Sequence, residues 1–195
     1  IHLPKIDSTN AWVKENYKTW DFSQITRVTT SEQTNGYGRF NRKWISQKNE
    51  NISITYFFTL SKKELHFNNL SQILSLSIAK LLKECSLSAE IKWPNDILIN
   101  SKKISGVLCE MIDLNENFGV VIGAGININM PKETLAMIDQ PATSLLNETK
   151  KLFSIDTLLE RLDHFFLNDL TLYKKEGFGP FYKDYEEILT HKGKP

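Results

Sequence analysis

A chain of 195 residues, 41% hydrophobic and 24% charged, has the make-up of a soluble globular protein with one domain and a sizeable core. Its formal net charge of +1 argues against a general nucleic-acid coat, so any positive site has to be local. No apolar run approaches the roughly 18 residues of a membrane span, and no signal peptide is visible.

Asp7-Ser8-Thr9-Asn10 offers several N-caps for a first helix over roughly residues 9–18. Ile25 to Ser31 is rich in β-branched residues and reads as a strand. A basic loop follows, and then Ile52, Ile54, Tyr56, Phe58 and Leu60 alternate with smaller or polar residues, a period-two strand with one strongly apolar face. From Asn68 to about Glu84 the apolar spacing becomes helical. Glu90–Trp93 is a short strand stopped by Pro94. Asp96–Ile99 and Ile104–Ile112 read as two strands joined through Asn100-Ser101-Lys102, and Phe118–Ile122 as a buried strand. The last third, from about Ile155, is helical, with a second helix after Gly179-Pro180. Strands clustered in the middle with helices around them predict an α+β domain with a mostly antiparallel sheet, not a doubly wound one.

Three clusters interrupt these elements. In Gln33–Trp44, glycines at 36 and 38 let backbone approach a ligand, Arg39 and Arg42 offer planar charged forks, and Trp44 a stacking face. Such a loop suits an anionic, partly aromatic ligand such as a nucleotide. In Lys92-Trp93-Pro94-Asn95-Asp96 with Lys102-Lys103-Ile104-Ser105-Gly106, a lysine near a turn can neutralise phosphate and carboxylate together, and the neighbouring Asp96 can take a proton or organise Mg²⁺. In Gly123-Ala124-Gly125-Ile126-Asn127, the third glycine of a dinucleotide fingerprint is missing and no helix follows. Glycines in a buried strand allow close approach of a ligand or another backbone, and Asn127 and Asn129 are expected to point the same way, so that one could contact a phosphate, ribose or metal-bound water. There is no phosphate loop and no Gly-x-Ser-x-Gly elbow. The four histidines are scattered, which implies no histidine metal site. Cys85 and Cys109 read as buried free thiols in a reducing cytoplasm.

In this order the clusters resemble the catalytic domain of biotin protein ligase (biotin–[acetyl-CoA carboxylase] ligase). The motifs are Asp7-Ser8-Thr9-Asn10, Gln33-x-x-Gly36-x-Gly38-Arg39-x-x-Arg42-x-Trp44, Lys92-Trp93-Pro94-Asn95-Asp96, Lys103-Ile104-x-Gly106-Val-Leu-x-Glu110 and Gly123-x-Gly125-Ile126-Asn127. The resemblance implies a class II aminoacyl-tRNA synthetase/biotin synthetase-like fold, a mixed, mostly antiparallel sheet flanked by helices. It implies adenylation of biotin by MgATP to biotinyl-5′-AMP, then transfer of biotin to a lysine of a biotin carboxyl carrier domain. Ser8, Thr9, Asn10, Gln33, Gly36, Gly106, Gly123 and Gly125 then belong to the biotin pocket. Arg39 and Lys103 hold biotin carboxylate and phosphate oxygens. Arg42, Trp44, Asn95 and Asn127 face the nucleotide. Asp96 is the candidate Mg²⁺ organiser or proton acceptor.

Tyr37 departs from the family's usual Gly-Arg-Gly-Arg. If the lost cation retained the adenylate, this enzyme should release it faster. The Ser-Thr-Asn motif starts almost at once, so no winged helix and no DNA binding are expected. Residues 1–190 form the catalytic domain, and 191–195 read as the start of a C-terminal β-barrel cap. A homodimer through a sheet edge follows by analogy, and a cytoplasmic location from the two free cysteines. The alternatives are a lipoate or octanoate ligase with the same architecture, and a nucleotide-responsive binding module without turnover.

Overall fold

The structure is a computed structural model in which residues 1–63 and 68–190 are described. The expected C-terminal cap, 191–195, lies outside the described residues. The chain runs β1 (His2–Leu3), α1 (Thr9–Asn16), β2 (Thr26–Thr30), β3 (Asn51–Ser61), α2 (Leu70–Glu84), β4 (Glu90–Lys92), β5 (Asp96–Ile99), β6 (Lys102–Leu114), β7 (Asn117–Asn127), α3 (Lys132–Leu135), α4 (Leu145–Thr149), α5 (Ile155–Glu176) and α6 (Tyr182–Ile188).

Among the described residues the strands form one seven-stranded sheet in the order β1-β2-β3-β7-β6-β5-β4. Only β1–β2 is parallel. The α+β reading with a mixed, mostly antiparallel sheet is therefore what the chain adopts. The alternation in β3 sends Ile52, Ile54, Tyr56, Phe58 and Leu60 into the main core, where the stripes of α2 and α5 cover them. Tyr56 and Phe166 meet there with ring centroids 4.5 Å apart. The opposite face of β3 is not solvated as a single apolar face would suggest. Its Phe57 joins Val13, Val28 and Val121 in a second, smaller core under α1, and its Ser53 and Thr55 are buried as well.

Several boundaries differ from the sequence reading. The first helix stops at Asn16, and a 3-10 turn (Tyr17–Thr19) carries the chain on. β7 does not end near Ile122 but continues to Asn127, so the glycine cluster is strand throughout. Asn129 lies beyond that strand, so Asn127 and Asn129 are not strand neighbours facing one way. Asn129 clamps Phe153 by two hydrogen bonds, whereas Asn127 donates to Thr143 O. The hairpin between β5 and β6 turns on Asn100 and Ser101, both at positive φ (50° and 62°). α5 is capped by Ser154 and ends at Gly177 (φ 69°), whose N–H bonds Tyr173 O.

Candidate active site

Residues that pair across neighbouring strands stand on the same face of a sheet. One such row runs Thr30, Ser53, Gly125, Gly106, Asp96, Lys92 across β2, β3, β7, β6, β5 and β4. The adjacent row runs Val28, Thr55, Gly123, Leu108. Three glycines therefore meet where side chains would otherwise fill the sheet face. The result is a trough on the face away from α2 and α5. It forms a cleft lined also by Ser8, Thr9, Asn10, Lys103 and Asn127.

Lys103 reaches this face because of an irregularity. Asp96 pairs with Gly106 and Ile97 with Ser105, but Leu98 pairs with Lys103, so Ile104 is the extra residue of a bulge. The bulge buries Ile104 in the main core and brings Lys103 to the side of Asp96. Their Nζ–Oδ1 distance is 2.7 Å, with side chains only 17% and 23% exposed. The backbone of Lys103 is held from outside the sheet too. Its N–H donates to Pro141 O, and its carbonyl accepts from Thr143 N, both at 2.9 Å. An ammonium and a carboxylate are thus fixed together on a glycine floor.

The Ser8-Thr9-Asn10 segment forms the opposite wall. Ser8 caps α1. Gln33 Oε1 accepts from the backbone N–H of Thr9 at 2.9 Å. Asn10 Oδ1 accepts from the Thr55 hydroxyl at 2.6 Å, and Asn10 Nδ2 donates to Glu110 Oε2 at 2.9 Å. Asn10 lies so close to Gly123 that a Cβ there would come within 2.1 Å of Oδ1. All three residues are buried.

The basic loop is a small hairpin. Trp44 N–H donates to Gly36 O and Gly38 N–H to Arg42 O, both at 2.8 Å, and Tyr37 bridges Lys43. A 3-10 turn (Arg39–Asn41) makes its tip, with Phe40 and Asn41 at positive φ. Gly36 is buried against Gln33 and the Trp44 carbonyl. Arg39 and Arg42 are exposed and, among the described residues, form no ion pair. Trp44 turns inward: its indole rests on Gly125, and Lys103 Nζ lies 5.7 Å from the ring centroid. Its buried Nε1 has no hydrogen-bond partner.

Asn95 and Asn127 line the cleft, but their amides have protein partners. Asn95 Nδ2 donates to Val107 O at 2.6 Å. Asn127 Oδ1 accepts from Asn51 and its Nδ2 donates to Thr143 O, each at 3.0 Å. Sequence reading gave no role to Thr55, Glu110, Lys14 or the wall formed by Ile138, Gln140 and Ala142. Glu110 takes Lys14 Nζ at 2.7 Å and the Tyr37 hydroxyl at 3.3 Å besides Asn10. Burial pulls the Lys14 ammonium down, but bonds to Glu110 and Tyr37 outweigh it and hold it above its usual value. Two signals for this cluster were present: Lys14 lies one helical turn beyond Asn10, and Glu110 closes the lysine–glycine motif. Cys85 and Cys109 are free; as whole residues both are half-buried, less than expected, but the thiol of Cys109 is itself enclosed while that of Cys85 is only partly covered.

A match to the biotin/lipoate A/B protein ligase family spans residues 3–127. The chain belongs to this family. Among its relatives, the bifunctional ligase/repressor BirA of Escherichia coli is 27% identical over 195 residues, covering 99% of this chain and 60% of BirA. Biotin–protein ligase 1, chloroplastic, of Arabidopsis thaliana is 28% identical over 205 residues, covering 98% and 52%. The chain thus spans little more than half the length of these curated relatives. The biotin protein ligase from Aquifex aeolicus in complex with biotin and ATP superposes with a TM-score of 0.81 and 31% identity, covering 100% of this chain and 79% of that one. The Leishmania major biotin protein ligase in complex with biotinyl-5-AMP shares the fold (TM-score 0.78, 23% identity).

Proposed function

We propose that the protein is a biotin protein ligase, joining biotin to a lysine of a biotin carboxyl carrier domain at the expense of ATP. The observation that carries this reading is the Lys103–Asp96 pair on a glycine floor beneath a hairpin bearing Arg39 and Arg42. Condensing two anions, a carboxylate and a triphosphate, calls for fixed cations where they meet.

In the first step an oxygen of the biotin carboxylate attacks the α-phosphorus of ATP, and pyrophosphate leaves. Lys103, lining the trough, neutralises carboxylate and α-phosphate, and Arg39 supplies a second cation from above. Arg42 is placed for the leaving phosphates. The ureido and valeryl parts of biotin lie along Ser8, Thr9, Asn10 and Gln33 and on Gly106 and Gly123. Trp44 offers the adenine a face and an unsatisfied N–H. Asn95 and Asn127, already bonded to protein, support the nucleotide end as fixed dipoles. In the second step the acceptor amine attacks the acyl carbon of the mixed anhydride, AMP leaves, and the amine loses a proton.

Mg²⁺ fits as a companion of the triphosphate, where it would screen phosphate charge. Among the described residues no group of three His, Cys, Asp or Glu forms a cage, and Mg²⁺ commonly takes one or two carboxylates besides phosphate oxygens. Asp96 Oδ1 is occupied by Lys103, which leaves its second oxygen for Mg²⁺ or for the proton of the acceptor amine.

Among the described residues no helix is long and apolar enough to cross a membrane, and the two free thiols suit the cytoplasm. The outer strand β1 is the open edge through which a homodimer would form, since Leu189 and Thr190 already pair with Ile91 on the outer side of β4. Residues 1–190 serve as the catalytic domain. Incubation with biotin, MgATP and a carrier domain, followed by intact mass, tests the proposal. A biotinyl increment on the carrier is the expected result, and an unmodified carrier under these conditions refutes it.

A further inference from the structure

Resting on the ligase reading, we propose that Tyr37 and Glu110 form the latch that holds the 36–44 hairpin closed over the acyl-adenylate, with Asn10 and Lys14 keeping the catch in place. Among the described residues, the Tyr37 side chain ties 36–43 to the rest of the protein: its hydroxyl donates to Glu110 Oε2, and Lys14 lies against the same tyrosine, its Nζ 5.5 Å from the ring centroid. The other hydrogen bonds of this stretch close the hairpin on itself.

Glu110 is a fixed catch. It stands on β6, in a row with Val121 and Phe57. Lys14 takes its Oε1 at 2.7 Å and Asn10 its Oε2 at 2.9 Å. Both donors come from α1, one turn apart, so the carboxylate is oriented whether or not the hairpin is down. Tyr37 is the partner that arrives. Its bond, at 3.3 Å, is longer than the usual range for O–H···O. A contact this long falls well short of a close charge-assisted bond and is readily made and broken.

The catch also reports on the ligand bed. Glu110 Oε2 is shared by Tyr37 and Asn10, and Asn10 lies on the Gly123 floor with its oxygen bound by Thr55. A ligand that orders Asn10 orders the oxygen that Tyr37 grips. The tyrosine thus replaces a permanent cation by a hydroxyl aimed at a waiting carboxylate. Faster loss of the intermediate then follows from removing the hydroxyl, not from having tyrosine at 37. Tyr37 and Glu110 are positioning residues, acting on the hairpin and not on the reacting atoms.

The test is release of biotinyl-adenylate. The adenylate is formed on the protein from labelled biotin and MgATP, chased with unlabelled biotin, and its loss followed by rapid filtration. Y37F is expected to release it roughly five- to tenfold faster, as loss of a single long hydrogen bond of ordinary strength implies, with the rate of adenylate formation within about twofold of the parent. E110Q should shift release the same way. A role in folding alone would instead move formation, release and unfolding midpoint together, and that pattern overturns the latch. Release from Y37F at the parental rate also overturns it while leaving the ligase reading intact. Should E110Q fail to fold, Y37F decides alone, since its half-buried ring is retained. Failure of the unaltered protein to form any adenylate overturns the ligase reading and the latch with it.

Discussion

Gly123→Ala is a one-methyl perturbation of the bed on which the ligand is proposed to lie. The added Cβ would sit 2.1 Å from Asn10 Oδ1, 3.0 Å from its Cγ and 3.0 Å from Thr55 Oγ1. Ordinary contact starts near 3.4 Å, so the amide oxygen must retreat by about 1.3 Å, a displacement typical of overpacking that costs 1–3 kcal/mol. Asn10 has little freedom to do so. Its backbone belongs to the first turn of α1, and its amide is held at one end by Thr55 and at the other by Glu110. Moving it sacrifices a neutral hydrogen bond and one to a carboxylate, together about 2–4 kcal/mol. A drop of that size should appear as a lower urea midpoint with unchanged slope. Biotin affinity by calorimetry should fall at least about tenfold, because the displaced amide intrudes on the trough. Gly106→Ala is the internal comparison. Its Cβ meets the flexible end of Lys103 at 3.2 Å and Asp96 Oδ1 at 3.5 Å, which needs a shift of a few tenths of an ångström. That variant should keep most of its stability and lose adenylation rate instead. Parental midpoint and biotin affinity in Gly123→Ala would show that Asn10 is not held as described.

Other expectations follow from the same geometry. Lys103→Ala or Arg39→Ala should lower adenylation by about two to three orders of magnitude in pyrophosphate exchange, as removal of a fixed charge-stabilising donor does; parental exchange in either contradicts its assigned role. Biotin, and not lipoate, should drive that exchange, and the reverse preference would move the chain to the lipoate side of its family. Trypsin should cut the hairpin after Arg39, Arg42 or Lys43, all exposed, and biotin with MgATP should slow the cut, whereas equal rates would exclude closure over the ligand. Burial, with Glu110 as the smaller cause, pushes the Cys109 thiol up to about 12 from 9.0, and burial raises Cys85 too. Because the folded value of Cys109 lies above the unfolded one, its contribution to stability is complete below pH 9.0 and is lost as pH climbs toward about 12. Both thiols should react slowly with a disulfide reagent near neutral pH until the protein is unfolded, and native thiols reacting as fast as unfolded ones would refute this.

The elements legible in the sequence were those with a period. β3 and α2 repeat every two and every 3.6 residues because each lays a regular stripe on one core. β1 is two residues long and α3 and α4 are four and five, too short to carry a period, and their stability comes from contacts remote in the chain. The extent of β7 was hidden for another reason. Gly123 and Gly125 are poor strand formers locally, and only the ladders to β3 on one side and β6 on the other hold them extended.

The site divides in the same way. Motifs named Lys103 and Asp96, but a regular strand would have put Lys102 on the face of Gly106. The bulge at Ile104, driven by burial of that side chain at 0% exposure, selects Lys103 instead. Nothing local announces it, because the competing demands come from the core beneath and from Pro141 and Thr143 beside it. Tyr37 shows the complementary case. In the sequence it is a missing cation, since charge is all that a comparison of types at one position can weigh. In three dimensions the hydroxyl faces a carboxylate already neutralised by Lys14. A second cation at 37 would compete with Lys14 for Glu110, whereas a phenol adds a donor without adding charge. The substitution therefore fits the partner it meets. Tyr37→Arg is expected to alter the hairpin through Lys14 and Glu110 and to leave the Lys103–Asp96 pair, on a different row of the sheet, as it is.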